Sequence, residues 1–388
     1  MSTTKLYDND SYTTGFTAEV LECIKKDSSY EIVLDRTQFF PEEGGQTPDL
    51  GTIDGINVAD VQIRDNVIYH TIDRQIEIGT TITGEVDWSR RFSNMQQHSG
   101  EHIFSGIVNR LYGYNNVGFH LSDSIVTMDY NGSFDMKKAL EIEQMVNEAV
   151  AQNFETVITW PSGDELKTIN YRSKKELEGS VRIVTFPGYD VCACCAPHVR
   201  RTGEIGLLKV VGLINYKGGV RVSILCGQRA MKLFDFDHEL ITSVAENFST
   251  SPDKICDSIK KLRETNLDSK AEILRLSESL IKYRLSEISD ELSNVCIIER
   301  EADQNMMRGA VNQLMQKHAG ICLFLSGDEE KGYSYIAGSS SLDTRKFGKA
   351  LSEKFSAKGG GSEKMIQGKL PPVSLEEIKS FTENYEQI

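Results

Sequence analysis

Two short pairs of metal-ligating side chains stand far apart in this chain, His98-Ser-Gly-Glu-His102 and Cys194-Cys-Ala-Pro-His198. Together they offer three imidazoles and one thiolate, the nitrogen and sulfur set and the count that zinc takes in a tetrahedral site. His98 and His102 are four apart, so on a helix both rings leave one face and can grip one ion. The same residues also satisfy H-x-x-E-H, in which Glu101 would be the general base of an inverted zinc peptidase. Such an enzyme leaves its fourth position to water, and a Cys-x-x-x-His pair that fills the set is not expected in it. The second pair is ambiguous in detail. Cys194 makes the four-residue spacing with His198, Cys195 makes C-x-x-H, and Cys192 with Cys195 makes C-x-x-C. A thioredoxin-like role would want that last motif to open a helix, whereas Pro197 and Gly188 point to a loop. A zinc nucleobase deaminase would need H-x-E ahead of P-C-x-x-C, and the chain has neither. Spacing favours Cys194 as the thiolate without removing Cys195.

The elements that must carry these residues follow from periodicity. Residues 1–90 are dominated by short alternating runs, Tyr30–Leu34, Val67–Ile72 and Thr81–Val86, separated by Gly and Asp, the pattern of a small antiparallel β domain with a barrel-like sheet. From Arg91 to about Leu111 the apolar spacing becomes helical, which puts His98 and His102 on a helix. A strand at Ile125–Tyr130, a helix at Met136–Phe154 and strands within Ile205–Leu225 complete an α+β block over 91–237, with helices laid on an antiparallel sheet. Residues 238–293 read as helical. Ser251 is a candidate N-cap with Pro252 at the first helical position and Asp253 in the first turn. No Gly or Pro interrupts Asp253 to Ser293, so one helix of about 40 residues, roughly 60 Å long, is expected. Its stripe of Ile255, Ile259, Leu262, Ile281 and Leu285 needs a partner, either the preceding segment or a second subunit. Residues 294–388 read as a small α/β domain containing a Gly-rich loop at Gly359-Gly-Gly361.

Composition bounds the function. A chain of 388 residues fits two to four domains, and 39% hydrophobic with 26% charged residues is globular. No apolar run is long enough to span a bilayer and the first residues lack a secretory core, so a cytoplasmic location is expected. Eight unevenly spread cysteines make reduced thiols the expectation. A net charge of -14 argues against a polyanionic partner, because such partners are met by basic faces. Residues 341–370, however, carry seven Lys or Arg against three acids, so the acidic average conceals a basic stretch.

The ordered combination of His98-x-x-x-His102 with Cys194-x-x-x-His198 and Thr202-Gly-Glu-Ile-Gly206 resembles the editing domain of alanyl-tRNA synthetases and the free-standing AlaX proteins. Thr37-Gln-Phe-Phe-Pro-Glu-Glu-Gly-Gly-Gln46 is similar to the family's T-x-F-Y-P-x-x-G-G-Q segment, and Lys217-Gly-Gly-Val-Arg221 through Gly227 to its closing strand pair. The glycine-rich tail resembles the C-terminal module called DHHA1, which makes the long AlaX form the best fit. The resemblance implies a trans-acting deacylase that hydrolyses mischarged Ser-tRNA(Ala), with Gly-tRNA(Ala) a second candidate. It implies Zn2+ on His98, His102, Cys194 and His198, and the Thr37 hydroxyl on the serine side chain. Gly44, Gly45 and Gln46 would lie against the aminoacyl ester or the tRNA end. Glu101 and His120 are the candidate neighbours for activating water. Lys358, Gly359, Gly360, Gly361 and Lys364 are implied tRNA contacts, and the helical segment with the C-terminal module an implied homodimer interface. With Thr37–Gln46 so near the start, no class II activation domain is expected before it.

Chemistry supports a need for such an enzyme, since a pocket built for alanine rejects glycine and serine poorly and a second sieve must correct the errors. Zinc could polarise the carbonyl or acidify a water, yet four protein ligands describe a closed site. A zinc peptidase and a non-catalytic, zinc-stabilised tRNA-binding protein are the alternatives.

Overall fold

The computed structural model of the chain describes residues 2–173 and 181–386 and shows an α+β architecture in two compact units, Met1–Ser243 and Val244–Ile388. The first unit opens with a seven-stranded antiparallel sheet. Its strands run in the order Ile56–Val58, Gly51–Ile53, Thr81–Val86, Gly15–Lys25, Tyr30–Leu34, Val67–Ile72 and Asp60–Arg64. The two outermost strands are joined through Ala59 alone, so the chain itself draws the edges together into a barrel-like form. Gly15–Lys25 serves both halves, pairing Gly15–Glu19 with the strand at 81–85 and Val20–Lys25 with the strand at 30–34. Strict alternation sends Phe16, Ala18, Val20, Ile82, Ile68 and Ile72 inward, where they pack with Phe39 and Phe40.

A helix follows at Trp88–Tyr112, capped by the Asp87 side chain on the Arg90 N–H and ended by Gly113 at φ 69°. Its side chains are buried around the whole circumference between Met95 and Val108, as expected of a helix enclosed on all sides. It packs with a four-stranded antiparallel sheet, ordered Asn116–Leu121, Val126–Tyr130, Gly219–Cys226 and Leu208–Tyr216. The helix Met136–Gln152 contributes Ile142 and Val146 to the same core. A three-stranded sheet of Val157–Thr159, Ile183–Phe186 and Asp190–Ala193 closes against the buried helix. There Gly106 is obligatory, because a Cβ would stand 2.3 Å from the Tyr189 carbonyl oxygen. The helix Gly227–Asn247 then runs through position 238, where the sequence suggests a new region.

In the second unit a 3-10 turn at Pro252–Lys254 leads into a helix at Ile255–Ser286 of 32 residues, shorter than the stretch free of Gly and Pro. At its end Ile281, Leu285 and Ile288 pack onto the core of the following domain. That domain is a five-stranded sheet ordered Val295–Glu299, Cys322–Asp328, Gly332–Gly338, Met365–Leu370 and Lys358–Gly361. Its first pair is parallel, bridged by the crossover helix Gln304–Leu314, and the rest are antiparallel. The helices Thr344–Phe355 and Leu375–Glu383 cover the other face. The glycine run expected as a loop is instead the exposed edge strand. Among the described residues no helix is long and apolar enough to cross a membrane.

Candidate functional site

Three segments of the first unit converge on one point, and a buried arginine sets their arrangement. Arg91, at the start of the enclosed helix, donates to Asp49 at 2.9 Å from Nε, to the Ser11 carbonyl at 2.9 Å and to the Gln38 carbonyl. This clamps the helix to the 38–49 segment of the barrel. Two turns further along, His98 and His102 leave the same face with ring centroids 5.3 Å apart. The strand Asp190–Ala193 delivers Cys194, and the loop after it delivers His198, whose ring lies 4.9 Å from that of His98 and 4.7 Å from that of His102. Cys194 Sγ is 3.4 Å from His198 Nε2 and 3.7 Å from His98 Nε2. All four donor atoms lie within 4.8 Å of one another, a set able to hold a metal ion.

Each imidazole is oriented through its other nitrogen. His98 Nδ1 meets Gln46 Oε1 at 2.8 Å, His102 Nδ1 meets Asp190 Oδ2 at 2.9 Å, and His198 Nδ1 meets Ser99 Oγ at 3.1 Å. A partner on Nδ1 fixes both tautomer and ring angle, leaving Nε2 to face the centre. Asp190 is itself held by two bonds from Arg172, at 2.7 and 2.8 Å. Burial alone would raise the Asp190 carboxyl, but His102 and Arg172 hold it below the ordinary range. Burial would also raise the Cys194 thiol, and the facing His98 and His198 draw it well below its usual value. His198 is pushed down to about 3 by burial. Thiolate and neutral imidazole are the forms that bind a cation. Burial opposes a charge on His102 too, yet its bond to Asp190 holds it above the usual imidazole value.

Cys195 lies outside the four-donor set, packed against the barrel core beside Glu43, and burial pushes its thiol up. Geometry thus separates the two adjacent cysteines. Cys192 lies near His102 and Asp190, but Asp190 is already committed to Arg172.

The turn Glu43–Gln46 closes with the Gln46 N–H on the Glu43 carbonyl at 3.1 Å, and Gly44 and Gly45 take φ of 64° and 85°. A Cβ on Gly45 would stand 2.3 Å from the Phe119 carbonyl oxygen, so the turn can dock on the strand Asn116–Leu121 only as glycine. Gly44 and Gly45 line a cavity of about 600 Å3 that also contains His98, Glu101, His102 and Cys194. Gln46 is fully buried and touches His98, so the structure gives it the orientation of a histidine rather than a place on the cavity wall.

The other expected residues divide. Glu101 is on the wall, its Oε1 accepting from the Ser105 hydroxyl at 2.7 Å and from Asn116 Nδ2 at 2.6 Å. His120 is exposed on the strand face opposite Phe119, and it is Phe119 whose ring lies 4.8 Å from His98. Thr37 is fully buried in the barrel, its hydroxyl bound to His70 Nε2 at 2.9 Å and accepting the Phe39 N–H at 3.1 Å. It is not among the residues that line the cavity. Burial pushes His70 down to about 4, leaving it a neutral partner. Lys358, Gly359, Gly360, Gly361 and Lys364 belong to the second unit, along and just beyond its edge strand, with Lys358 paired directly opposite Lys369. Ser99, Asp190, Arg172 and Arg91 were not legible as site residues, although Ser99 adjoins His98 and Asp190 lies just before the cysteines.

Comparison with known proteins places this geometry. The family of class II (A) tRNA synthetases matches residues 6–90, which contain the barrel-like sheet. The threonyl and alanyl tRNA synthetase second additional domain matches residues 181–223, which contain Cys194 and His198. The alanyl-tRNA editing protein Aarsd1 of Rattus norvegicus is 26% identical over 98% of this chain and 97% of its own. The alanyl-tRNA editing protein AlaX-L of Pyrococcus horikoshii is 26% identical over 97% of this chain and 98% of its own. The alanine–tRNA ligase of Pyrococcus furiosus is 27% identical over 97% of this chain but only 43% of its own. Covered almost end to end by proteins of similar length, and matched by both of these domain families, the chain matches the AlaX-type alanyl-tRNA editing proteins.

Proposed function

We propose that this protein is a trans-acting aminoacyl-tRNA deacylase that hydrolyses the ester of mischarged Ser-tRNA(Ala), with Zn2+ held by His98, His102, Cys194 and His198. The observation that carries this reading is the convergence of one thiolate and three Nδ1-anchored imidazoles at a cavity bounded by Gly44 and Gly45. The donors fit zinc in their spacing. Zn–S near 2.3 Å and Zn–N near 2.05 Å at a tetrahedral angle put sulfur and nitrogen about 3.6 Å apart. The two sulfur–nitrogen distances here are 3.4 and 3.7 Å.

When bound, the ion would supply positive charge at the base of the cavity, where an ester carbonyl or amino group can be positioned. The chain's own residues do the rest. Gly44 and Gly45 allow the ester to approach backbone without a Cβ in the way. Glu101, buried on the wall and oriented by Ser105 and Asn116, is the residue placed to orient the attacking water and take its proton. His120 has no such position. The peptidase alternative is less well supported, because Cys194 and His198 complete the ligand set that such an enzyme would leave open.

The proposed partner is tRNA(Ala) in the cytoplasm. Opposed like charges at Lys358 and Lys369 are unfavourable on a bare sheet edge and would be relieved by a phosphate backbone. Ile259, Leu262, Leu267 and Ile273 leave an exposed apolar stripe on the helix Ile255–Ser286, the proposed homodimer contact. Deacylation of purified Ser-tRNA(Ala) tests the central claim. Wild type should release serine far faster than buffer, and His102→Ala and Cys194→Ser should lose both zinc and activity. Ester loss no faster than buffer would overturn the enzyme, and cleavage of peptides with inert Ser-tRNA(Ala) would establish the peptidase.

A further inference from the structure

We propose that Trp160 is a stacking platform for the base of the 3′-terminal nucleoside of the RNA substrate, a positioning role that rests on the deacylase reading above. The indole lines the same cavity as His98, His102 and Cys194, yet it is 48% exposed. Among the described residues it makes no ring–ring contact, cation–π contact or hydrogen bond. The other tryptophan shows the alternative, with Trp88 packed 5.2 Å from both Tyr12 and Phe92. A large planar side chain left uncovered inside a functional cavity is a surface for a planar ligand.

Sheet register fixes where that surface stands. Thr159 pairs with Ile183, and Ile183 pairs with Ala193, so the three residues form one row across the sheet. The next residues along the three strands are Trp160, Arg182 and Cys194, and the Cys194 N–H on the Arg182 carbonyl at 3.1 Å continues the row. All three line the cavity. Adjacent strands lie about 4.8 Å apart, so Trp160 stands on the order of 10 Å across the sheet from the thiolate ligand, with Arg182 between them.

A nucleoside ester spans that distance. Its carbonyl would lie at the metal donors, its ribose over Arg182 and its base on the indole. Arg182 is 5% exposed, gives Nη1 to the Cys194 and Ala196 carbonyls at 2.9 Å each, and keeps a buried Nε donor with no partner among the described residues. The cavity, about 600 Å3, is of the size that takes a ligand much larger than an amino acid. Stacking accepts any base, so the platform would position the terminal nucleoside without reading the identity of the tRNA.

Two measurements on the full-length protein test this. In the first, deacylation is followed against Ser-tRNA(Ala) concentration. Trp160→Ala should raise KM by about five- to a hundred-fold with kcat little changed, and Trp160→Phe should restore most of the loss. In the second, Trp88→Phe leaves Trp160 as the sole tryptophan, and its fluorescence is titrated with a short uncharged RNA ending in an unpaired 3′ adenosine. Quenching that saturates, and that is absent with the same RNA closed at its 3′ end by a hairpin, is the expected result. An unchanged KM in Trp160→Ala, a loss confined to kcat, or fluorescence blind to the open RNA would each overturn the platform. If wild type fails to deacylate, the deacylase reading falls, and the fluorescence titration still decides the stacking.

Discussion

Replacing Arg91 with methionine should strongly destabilise the first unit. The guanidinium is fully buried and donates to Asp49, to the Ser11 carbonyl and to the Gln38 carbonyl. Methionine keeps much of the volume and removes every donor. Asp49 would then be a fully buried carboxylate whose one remaining bond is the Phe40 N–H at 2.7 Å on Oδ2, its Oδ1 having no partner among the described residues. Stranding a buried charge in this way costs about 3–5 kcal/mol. For a unit of this size that is a fall in melting temperature of roughly 6–20 °C. The assay is thermal and urea unfolding of Arg91→Met, Asp49→Leu and the double variant. Because an apolar pair of similar volume can replace a buried ion pair at little cost, the double variant should recover about 3 kcal/mol relative to the sum of the singles. A single-variant cost below about 1 kcal/mol, or strict additivity in the double, would refute the claim that this pair clamps the helix to the barrel.

Gln46→Ala should lower zinc affinity about 10- to 100-fold while leaving the fold intact, since it removes only the acceptor on His98 Nδ1. Competition with a chelator measures this, and unchanged affinity would return Gln46 to the role of substrate contact. Acid stability should depend on Asp190. Its folded pKa is depressed below the unfolded value near 3.9, so its contribution is present above about pH 4 and is lost as pH falls through the folded pKa. Asp190→Asn should therefore flatten the dependence of stability on pH below about pH 4, and an unaltered slope would contradict the assigned role. Glu101→Gln should retain zinc and lower kcat by about 10²–10⁴-fold if Glu101 handles the proton of the attacking water. Full activity with bound zinc would place that function elsewhere.

What could be read from the sequence was local. His98 and His102 declared themselves because a four-residue step on a helix is a spatial statement, and the strands at Val67–Ile72 and Thr81–Val86 alternate so cleanly that their limits agree with the structure, as do those of Tyr30–Leu34, which is buried along most of its length. The choice between Cys194 and Cys195 depends on which way the chain leaves the strand Asp190–Ala193, and spacing does not carry that. Arg91 and Asp49, 42 residues apart, and Ser99 and Val199, 100 apart, meet only after the barrel, the helix and the three-stranded sheet have assembled. Thr37 lies in the two-residue strand Arg36–Thr37, too short for alternation to say that its hydroxyl turns inward to His70. The end of the long helix at Ser286 was hidden because Leu285 and Ile288 continue the helical spacing while packing onto another domain. Gly359-Gly-Gly361 reads as a loop because glycine disfavours strands. It forms one because Gly359 faces Gly368 across the ladder with the Tyr335 side chain beside both, an aromatic cover for edge glycines.

The three Nδ1 partners come from different places, Gln46 from the barrel segment, Ser99 from the enclosed helix and Asp190 from the three-stranded sheet. A cation on the four donors would therefore tie together three elements of the unit, and its binding energy would enter the stability of the whole unit. That coupling gives a closed ligand set a purpose. The donors shape the floor of the cavity, and the cavity wall is free to do the hydrolytic work. Glu101 satisfies that division of labour, since it sits beside His102 in the chain but takes its hydrogen bonds from Ser105 and Asn116, outside the ligand set. An ester held over Gly44 and Gly45 would then lie between the donors that would hold the cation and the Glu101 carboxylate, with positive charge supplied from one side and a proton acceptor from the other.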